Sequence, residues 1–126
     1  MTQTITQQQL EAALIARHGR KRWQRLQSAC VGIAGLGGLG SNIAVQLTRL
    51  GIGRLILADY DRVELSNLNR QNYRLCDVGK PKTDALTEQL RQINPYLACE
   101  PQLVRLTPQN IPTVFAGCQI ICEAFD

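Results

Sequence analysis

The segment Gly35–Gly40 constrains this chain most, because it reads GLGGLG between two segments of different character. Ala29–Ala34 precedes it as a short apolar run, which is typical of a strand buried on both faces. Apolar residues then recur at helical spacing from a start near Ser41 to a stop at Gly51. A glycine-rich turn between a strand and a helix predicts a site for phosphate groups at the start of that helix.

Strands and helices alternate through the rest of the chain. The pattern predicts a helix from Pro81 to Asn94, a short helix over Pro108–Phe115, and strands over Arg54–Ala58, Leu97–Val104 and Gln119–Cys122. This alternation predicts an α/β fold with a Rossmann-like, doubly wound, mainly parallel sheet and right-handed crossovers. The expected strand order is 3-2-1-4, with a ligand crevice between strands 1 and 4.

The first 28 residues differ from the remainder in being polar and helix-favouring, and Gly19 divides them into two predicted helices. We therefore expect an N-terminal helical segment over residues 1–28 and the N-terminal part of a Rossmann-like domain over residues 29–126. A length of 126 residues fits a single domain. Because sheets of this kind usually have about six strands, a chain with four is expected to be truncated.

Composition excludes several other classes of protein. The 14 basic and 10 acidic side chains give a net charge of +4, which does not favour nucleic acid as a partner. No apolar run reaches membrane-span length, and the N-terminus lacks a signal-peptide pattern, so the expected location is the cytoplasm. The five cysteines are expected to be reduced. Cys118 and Cys122 lack the second pair that a tetrahedral zinc site requires, so no zinc is expected.

Each glycine of the motif has a predicted role. Gly35 permits the tight turn, Gly37 removes a Cβ that would block a phosphate, and Gly40 allows strand and helix to pack closely. Asp59 ends the second strand 19 residues after Gly40, where a carboxylate can accept hydrogen bonds from ribose hydroxyls. Since a dinucleotide and ATP both present ribose and phosphate, these residues leave both ligands open.

The polar segment Asp61–Val78 favours one of the two ligands. It is long for a connection within a compact domain, which is typical of functional loops. It contains Arg70, and Lys82 follows in the sequence GKPK. A hydride carrier does not need these cations, whereas a departing pyrophosphate is stabilised by arginine and lysine held nearby. The two cations therefore favour ATP.

Three motifs, GLGGLGS, DYDRVELSNLNRQ and GKPK, resemble those of the ThiF/MoeB/HesA family, bacterial relatives of the ubiquitin-activating enzymes. The resemblance covers residues 17–126, and RHG and CEAFD are similar to the short ThiF proteins of thiamine biosynthesis. It implies an ATP-binding adenylation domain over residues 29–126. It also implies that MgATP adenylates the C-terminal glycine of a ubiquitin-like sulfur-carrier protein (ThiS or MoaD type), for thiamine or molybdopterin cofactor biosynthesis.

The resemblance also implies roles for individual residues. Asp59 would hold the ribose, and Asp126 would support the magnesium ion. Arg70 and Lys82 would bind the phosphates during catalysis. The nucleotide contacts that the resemblance implies are Gly35, Gly37, Gly38, Gly40, Asp59, Asp61, Ser66, Asn67, Arg70 and Lys82.

The resemblance further implies a homodimer in which one subunit donates an arginine to the other, with Arg17 as the first choice and Arg20 as the alternative. Segments that dock the carrier are expected after residue 126, so nucleotide binding by this chain does not guarantee turnover. Two alternatives stay open. An NAD-dependent oxidoreductase would leave Arg70 and Lys82 without a role, and a non-catalytic module would use the nucleotide only for binding or dimerisation.

Overall fold

Residues 4–125 of the chain are described by a computed structural model, and they form five α-helices and four strands. In chain order these are α1 (Gln7–His18), α2 (Arg20–Ser28), β1 (Cys30–Ala34), α3 (Gly38–Leu50), β2 (Arg54–Asp59), α4 (Lys82–Ile93), β3 (Ala98–Leu103), α5 (Ile111–Val114) and β4 (Ile120–Glu123). The crossing segment, residues 60–81, joins β2 to α4 and contains two 3₁₀ helices, Leu65–Asn69 and Leu75–Asp77. None of the described helices has the length and apolar character of a membrane span.

The four strands form one parallel sheet in the order β3-β2-β1-β4. Val31 of the central strand β1 pairs with Leu55 of β2 on one side and with Ile120 of β4 on the other. Parallel neighbours of this kind need crossover connections, which the intervening helices supply. The predicted α/β fold and the predicted strand order are both confirmed.

Two hydrophobic cores lie on opposite faces of the sheet, because successive strand residues point to opposite sides. Leu55 and Leu57 of β2 are fully buried in the core that includes residues of α3 and α4. Ile56 points to the other face, where Phe115 packs against it. Gly32 allows this packing, since the Phe115 ring occupies the space that a Cβ would need. Burial on both faces explains the continuous apolar sequences of β1 and β2.

The helical N-terminus is also confirmed, and it is attached to the sheet domain. A capping box begins α1: Thr6 Oγ1 accepts the Gln9 N–H (3.1 Å), and Gln9 Oε1 accepts the Thr6 N–H (2.9 Å). Gly19 separates α1 from α2 with a φ of 82°, a value that favours glycine. The Nε2–H of His18 donates to the carbonyl oxygen of Leu50 at the end of α3 (3.0 Å), which gives this histidine a structural role.

Element boundaries agree with the prediction at the strands and differ at two helices. Every predicted strand end lies within one residue of the observed end. The start of α3 is Gly38 rather than Ser41, so the last glycines of the motif form the first turn of the helix. The short C-terminal helix covers only Ile111–Val114, because the Asn110 side chain accepts the Thr107 N–H (2.8 Å) and closes a turn before it.

Asp77 anchors the crossing segment, which has little regular structure of its own. Its side chain is fully buried and accepts hydrogen bonds from the backbone N–H (2.8 Å), Nε (3.1 Å) and Nη2 (3.1 Å) of Arg74. Burial acts to raise the pKa of Asp77, but the hydrogen bonds from Arg74 outweigh it and hold that pKa below its usual value. Lys80 adds a second cation, with Nζ 3.8 Å from Asp77 Oδ1. An ionised aspartate therefore holds this segment in place.

Candidate functional site

The glycine turn, residues 35–40, connects β1 to α3 in a compact path. Gly35 has a φ of 95°, and its N–H donates to the carbonyl oxygen of Ala58 in β2 (2.9 Å). A Cβ on Gly40 would overlap with the carbonyl oxygen of Gly35, so strand and helix approach as closely as glycine permits. Both positions use glycine for the structural reasons that the sequence predicts.

The first turn of α3 presents backbone N–H groups on an open side of the glycine turn. The first N–H to bond within the helix is that of Ser41, which donates to the carbonyl oxygen of Gly37 (3.0 Å). No side chain of residues 4–125 caps the start of this helix. A Cβ added to Gly37 or Gly38 would contact no atom closer than 3.6 Å, so these positions leave space. An anion there would meet free N–H groups and the positive end of the helix dipole.

Asp59 links the glycine turn to the end of β2. Its Oδ2 accepts the N–H of Leu36 (2.8 Å), and its Oδ1 accepts the N–H of Asp61 (2.8 Å). The residue is 8% exposed. Since each carboxylate oxygen can accept more than one hydrogen bond, Asp59 can fix the turn and still accept from the hydroxyls of a ribose.

A cavity of about 240 Å³ lies over the glycine turn and is our candidate site. Five predicted site residues line it, namely Gly35, Gly37, Asp59, Asp61 and Lys82, and the remaining lining residues are Leu36, Tyr60, Ala124 and Phe125. A larger groove of about 440 Å³ lies along α4 and β3, with Asp84, Glu88 and Arg91 among its lining residues. We prefer the smaller cavity, because the groove contains neither the glycine turn nor the start of α3.

Lys82 supplies positive charge to the candidate site. It is the first residue of α4, it is only 6% exposed, and its backbone N–H donates to the carbonyl oxygen of Asp61 (3.0 Å). Within residues 4–125 its ammonium group forms no ion pair. Although Asp59 and Asp61 line the same cavity, neither pairs with this cation, so Lys82 is available to an anionic ligand.

The crossing segment is bonded to the glycine turn by residues that the sequence analysis did not select. The Tyr73 hydroxyl donates to the carbonyl oxygen of Leu36 (2.6 Å), and burial raises the pKa of Tyr73 well above its usual range. The N–H of Asn72 donates to Ser41 Oγ (3.1 Å), and its Nδ2 donates to Asn42 Oδ1 (2.6 Å). A lone aromatic residue in a polar loop and asparagines beside it were the available signals. The neighbouring sequence did not indicate which residues these side chains would bond to.

Arg70 lies beside the glycine turn but does not line the cavity. Its Cγ would be 3.7 Å from a Cβ on Gly38, while Nη1 donates to the carbonyl oxygen of Ser66 (3.3 Å) and to Asn69 Oδ1 (3.0 Å). Ser66 and Asn67 are two further residues predicted to contact the nucleotide. They belong to the 3₁₀ helix Leu65–Asn69, which precedes Arg70, and they also lie outside the cavity lining. Arg70 is exposed, so rotation of its outer torsions can carry the guanidinium towards the start of α3.

Arg17 and Arg20 lie away from the candidate site. Both are exposed, one at the end of α1 and the other at the start of α2. Arg20 belongs to a separate basic recess of about 350 Å³, lined by His18, Gly19, Arg20, Lys21, Arg22 and Arg25. Neither arginine lines the cavity of its own subunit. The predicted donation to a second subunit therefore stays a prediction.

Metal ligands do not gather within residues 4–125. No group of three or more His, Cys, Asp or Glu side chains in that range is placed to hold a metal ion. Asp59, the most buried carboxylate of the cavity, already accepts two backbone N–H groups. Asp126, the predicted magnesium residue, lies outside the described residues.

Comparison with known proteins assigns the chain to a family. The sequence profile of the ThiF family matches residues 7–126. The chain belongs to the ThiF family. This ThiF-family chain is 47% identical over 85 residues to Ubiquitin-like modifier-activating enzyme 5 of Arabidopsis thaliana, a match that covers 68% of the chain and 20% of that relative. It is 43% identical over 103 residues to Adenylyltransferase and sulfurtransferase uba4 of Aspergillus terreus, covering 81% of the chain and 21% of that relative.

A solved structure shares nearly the whole fold of this ThiF-family chain. It is E. coli tRNA N6-threonylcarbamoyladenosine dehydratase, TcdA, in complex with ATP, with a TM-score of 0.88 and 31% identity. The match covers 98% of the chain and 53% of TcdA, so the chain spans about half of TcdA and about a fifth of the two curated relatives. The predicted family resemblance is confirmed. None of these three proteins is named as an NAD-dependent oxidoreductase.

Proposed function

We propose that this chain binds ATP over the glycine turn and adenylates the C-terminal glycine of a ubiquitin-like sulfur-carrier protein of the ThiS or MoaD type. The observation that carries this proposal is the cavity in which an uncapped helix start, the Asp59 carboxylate and the buried Lys82 ammonium meet. The names of the two curated relatives, an activating enzyme for ubiquitin-like modifiers and an adenylyltransferase, support it. The ATP in the TcdA structure supports the choice of nucleotide.

The residues of the cavity suit both the ribose and the phosphates of ATP. Asp59 accepts hydrogen bonds from the ribose hydroxyls, and the N–H groups at the start of α3 donate to phosphate oxygens. Lys82 and, after rotation, Arg70 neutralise the phosphates. Gly37 and Gly38 let the phosphates approach the backbone. This proposal assigns the nucleotide to residues that the sequence had already selected.

The reaction needs charge and positioning more than acid–base catalysis. A carrier carboxylate oxygen attacks the α-phosphorus, a P–O bond forms, and the bond from that phosphorus to the oxygen bridging to the β-phosphate breaks. Pyrophosphate leaves with the bonding electron pair. Since the carboxylate is ionised at pH 7, no residue has to remove a proton from it. Lys82 and Arg70 lower the barrier by stabilising the charge that develops on pyrophosphate.

Magnesium would neutralise phosphate charge when bound with ATP. We assign its protein contact to Asp126, on the family resemblance. The downstream use of the adenylate is sulfur transfer in thiamine or molybdopterin cofactor biosynthesis. The magnesium contact and the downstream sulfur transfer are both assigned from the family resemblance, not from contacts within residues 4–125.

Carrier-dependent exchange of labelled pyrophosphate into ATP tests the proposed function. We expect exchange with a ThiS- or MoaD-type carrier and none with a carrier that lacks its terminal glycine. The assay is run on this chain and on a longer version that reaches the length of TcdA. Nucleotide binding without exchange by either version, over several carriers, would instead favour the non-catalytic nucleotide-binding module.

The proposed homodimer makes a prediction about Arg17. We expect Arg17→Ala and Lys82→Met to be nearly inactive when assayed separately. An equal mixture should regain about a quarter of wild-type exchange, because half of the dimers are mixed and each mixed dimer has one intact site. Arg20→Ala is tested in the same way, and Arg22→Ala is the control on the same exposed surface. Failure of both mixtures to recover would count against the donation of either arginine across a dimer.

A second candidate function follows from the TcdA comparison, which covers 98% of this chain. In this function the ATP-dependent reaction acts on N6-threonylcarbamoyladenosine in tRNA. The exposed basic recess at the start of α2 supports it, since four basic side chains there, Arg20, Lys21, Arg22 and Arg25, face solvent together. ATP consumption stimulated by tRNA that carries this nucleoside, and not by a sulfur carrier, would favour the second candidate over the first.

A further inference from the structure

Two thiols that are far apart in sequence meet at the base of the sheet. Cys30 Sγ and Cys118 Sγ lie 3.5 Å apart, although the residues are 88 positions apart in the chain. Cys30 begins β1 and is 5% exposed, whereas Cys118 precedes β4 and is partly exposed. Solvent can therefore reach one member of the pair.

The backbone holds these two residues in place. The N–H of Gln119 donates to the carbonyl oxygen of Cys30 (3.1 Å), and the N–H of Cys30 donates to Gln119 Oε1 (2.7 Å). Pairing of Val31 with Ile120 continues directly from this point. The contact between the sulfurs thus lies directly beside the paired strands, with Cys118 in the connection that leads into β4.

The other cysteines are separate from this pair. Cys122 packs into the core on the α3 and α4 side of the sheet, while Cys30 and Cys118 lie with the core on the opposite side. The Cys99 thiol lies by the Thr87 hydroxyl (3.6 Å), and Cys76 is exposed in the crossing segment. Within residues 4–125 the pair is the one place where two sulfur atoms are in contact.

The surroundings of the pair keep the Cys118 thiol protonated. Burial, together with the hydrogen bond to Cys30, raises the pKa of Cys118 to about 12, against an opposing effect of the nearby Arg54 guanidinium. Disulfides are readily reduced when the reduced state is stabilised as a thiolate, as in strongly oxidising thiol enzymes. Cys118 lacks that stabilisation, which favours the disulfide over the reduced pair.

We propose that Cys30 and Cys118 form a reversible disulfide that fastens β4 to β1. A low-molecular-weight disulfide is the oxidant. The Cys118 thiolate attacks it and forms a mixed disulfide, and the departing thiolate takes up the proton. The Cys30 thiolate then attacks Cys118 Sγ and releases the second thiol. Overall two protein thiols are oxidised to one disulfide, and the reagent is reduced to two thiols.

The position of β4 gives this link its consequence. Within residues 4–125, β4 pairs only with β1, so the contact between these two strands holds it in the sheet. Ala124 and Phe125 follow β4 directly and line the cavity over the glycine turn, and the Ala124 N–H donates to the Ala34 carbonyl oxygen (2.8 Å). Oxidation would therefore stabilise a strand that supports one wall of the cavity. The disulfide is inferred independently of what the cavity binds.

Peptide mapping of the full chain after equilibration in glutathione and glutathione disulfide tests this proposal. We expect a Cys30–Cys118 cross-linked peptide that disappears on treatment with dithiothreitol. We also expect the melting temperature to rise by roughly 10 °C on oxidation, because the link closes a long loop in the unfolded chain. The oxidation rate should rise about tenfold per pH unit from pH 7 to 10, in proportion to the thiolate fraction.

The matched control is Cys122→Ser, which should still form the cross-link and show the same rise in melting temperature. Cys118→Ser and Cys30→Ala should lose both. The mapping of the wild-type chain keeps the test valid even where a variant folds poorly. The proposal is overturned if Cys118 is found only as a mixed disulfide with glutathione, if it links to another cysteine, or if oxidation leaves the melting temperature unchanged or lower.

Discussion

Replacing Lys82 with methionine is expected to lower carrier-dependent ATP–pyrophosphate exchange by about 10²- to 10³-fold, the usual effect of removing one group that stabilises developing charge. Methionine keeps the length and the apolar packing of the lysine stem but removes the buried cation that lines the cavity. The loss should appear mainly in kcat, because the charge on pyrophosphate develops in the transition state. Exchange kinetics at saturating ATP measure it.

Lys80→Met is the matched control for this prediction. Lys80 is two residues earlier and 44% exposed at its side chain, and it pairs with Asp77 and Glu88 outside the cavity. We expect its exchange rate to stay within about twofold of wild type, since Lys80 is exposed and Asp77 keeps its shorter hydrogen bonds from Arg74. Equal losses in both variants would mean that Lys82 acts through folding, and an unaffected Lys82→Met would remove it from the phosphate site.

Replacing Gly40 with alanine is expected to lower the free energy of unfolding by about 3 kcal/mol, at the upper end of overpacking effects. The added Cβ would overlap with the carbonyl oxygen of Gly35, which belongs to the backbone and cannot rotate away. Strand β1 and helix α3 would have to separate at the point where the cavity begins. Urea unfolding followed by circular dichroism measures the change.

Gly38→Ala separates this steric effect from the general effect of alanine in a helix. Gly38 also lies in the first turn of α3, but its added Cβ would be 3.7 Å from the nearest atoms, an ordinary contact. We expect the unfolding free energy to stay the same or to rise by up to about 1 kcal/mol, as alanine favours helices. A similar loss in both variants would show that close packing at Gly40 is not the cause.

The sheet was predictable because its signals are local. The apolar run before Gly35, the glycine motif and the carboxylate of Asp59 define a strand, a turn and a second strand within about 30 residues. The strand order then follows from the usual arrangement of doubly wound sheets of this kind. The start of α3 at Gly38 was missed, since glycine is a poor helix former and two glycines, Gly38 and Gly40, lie in the first turn.

The candidate site was predictable only in part. Gly37, Asp59 and Lys82 line one cavity, as their motifs indicate, whereas Ser66 and Asn67 lie outside it and bond within their own segment. Their motif identifies the segment but not which of its side chains face the cavity. That depends on how the crossing segment is bonded to the rest of the domain.

The sequence by itself determined the parallel sheet and the glycine turn, because these depend on spacing along a short stretch of chain. The tertiary structure alone decided that Tyr73 bonds to the turn, that Lys82 is buried beside it, and that two thiols 88 positions apart are in contact. Such contacts join residues with no local relationship in sequence. They arise only when the strands and the crossing segment pack together.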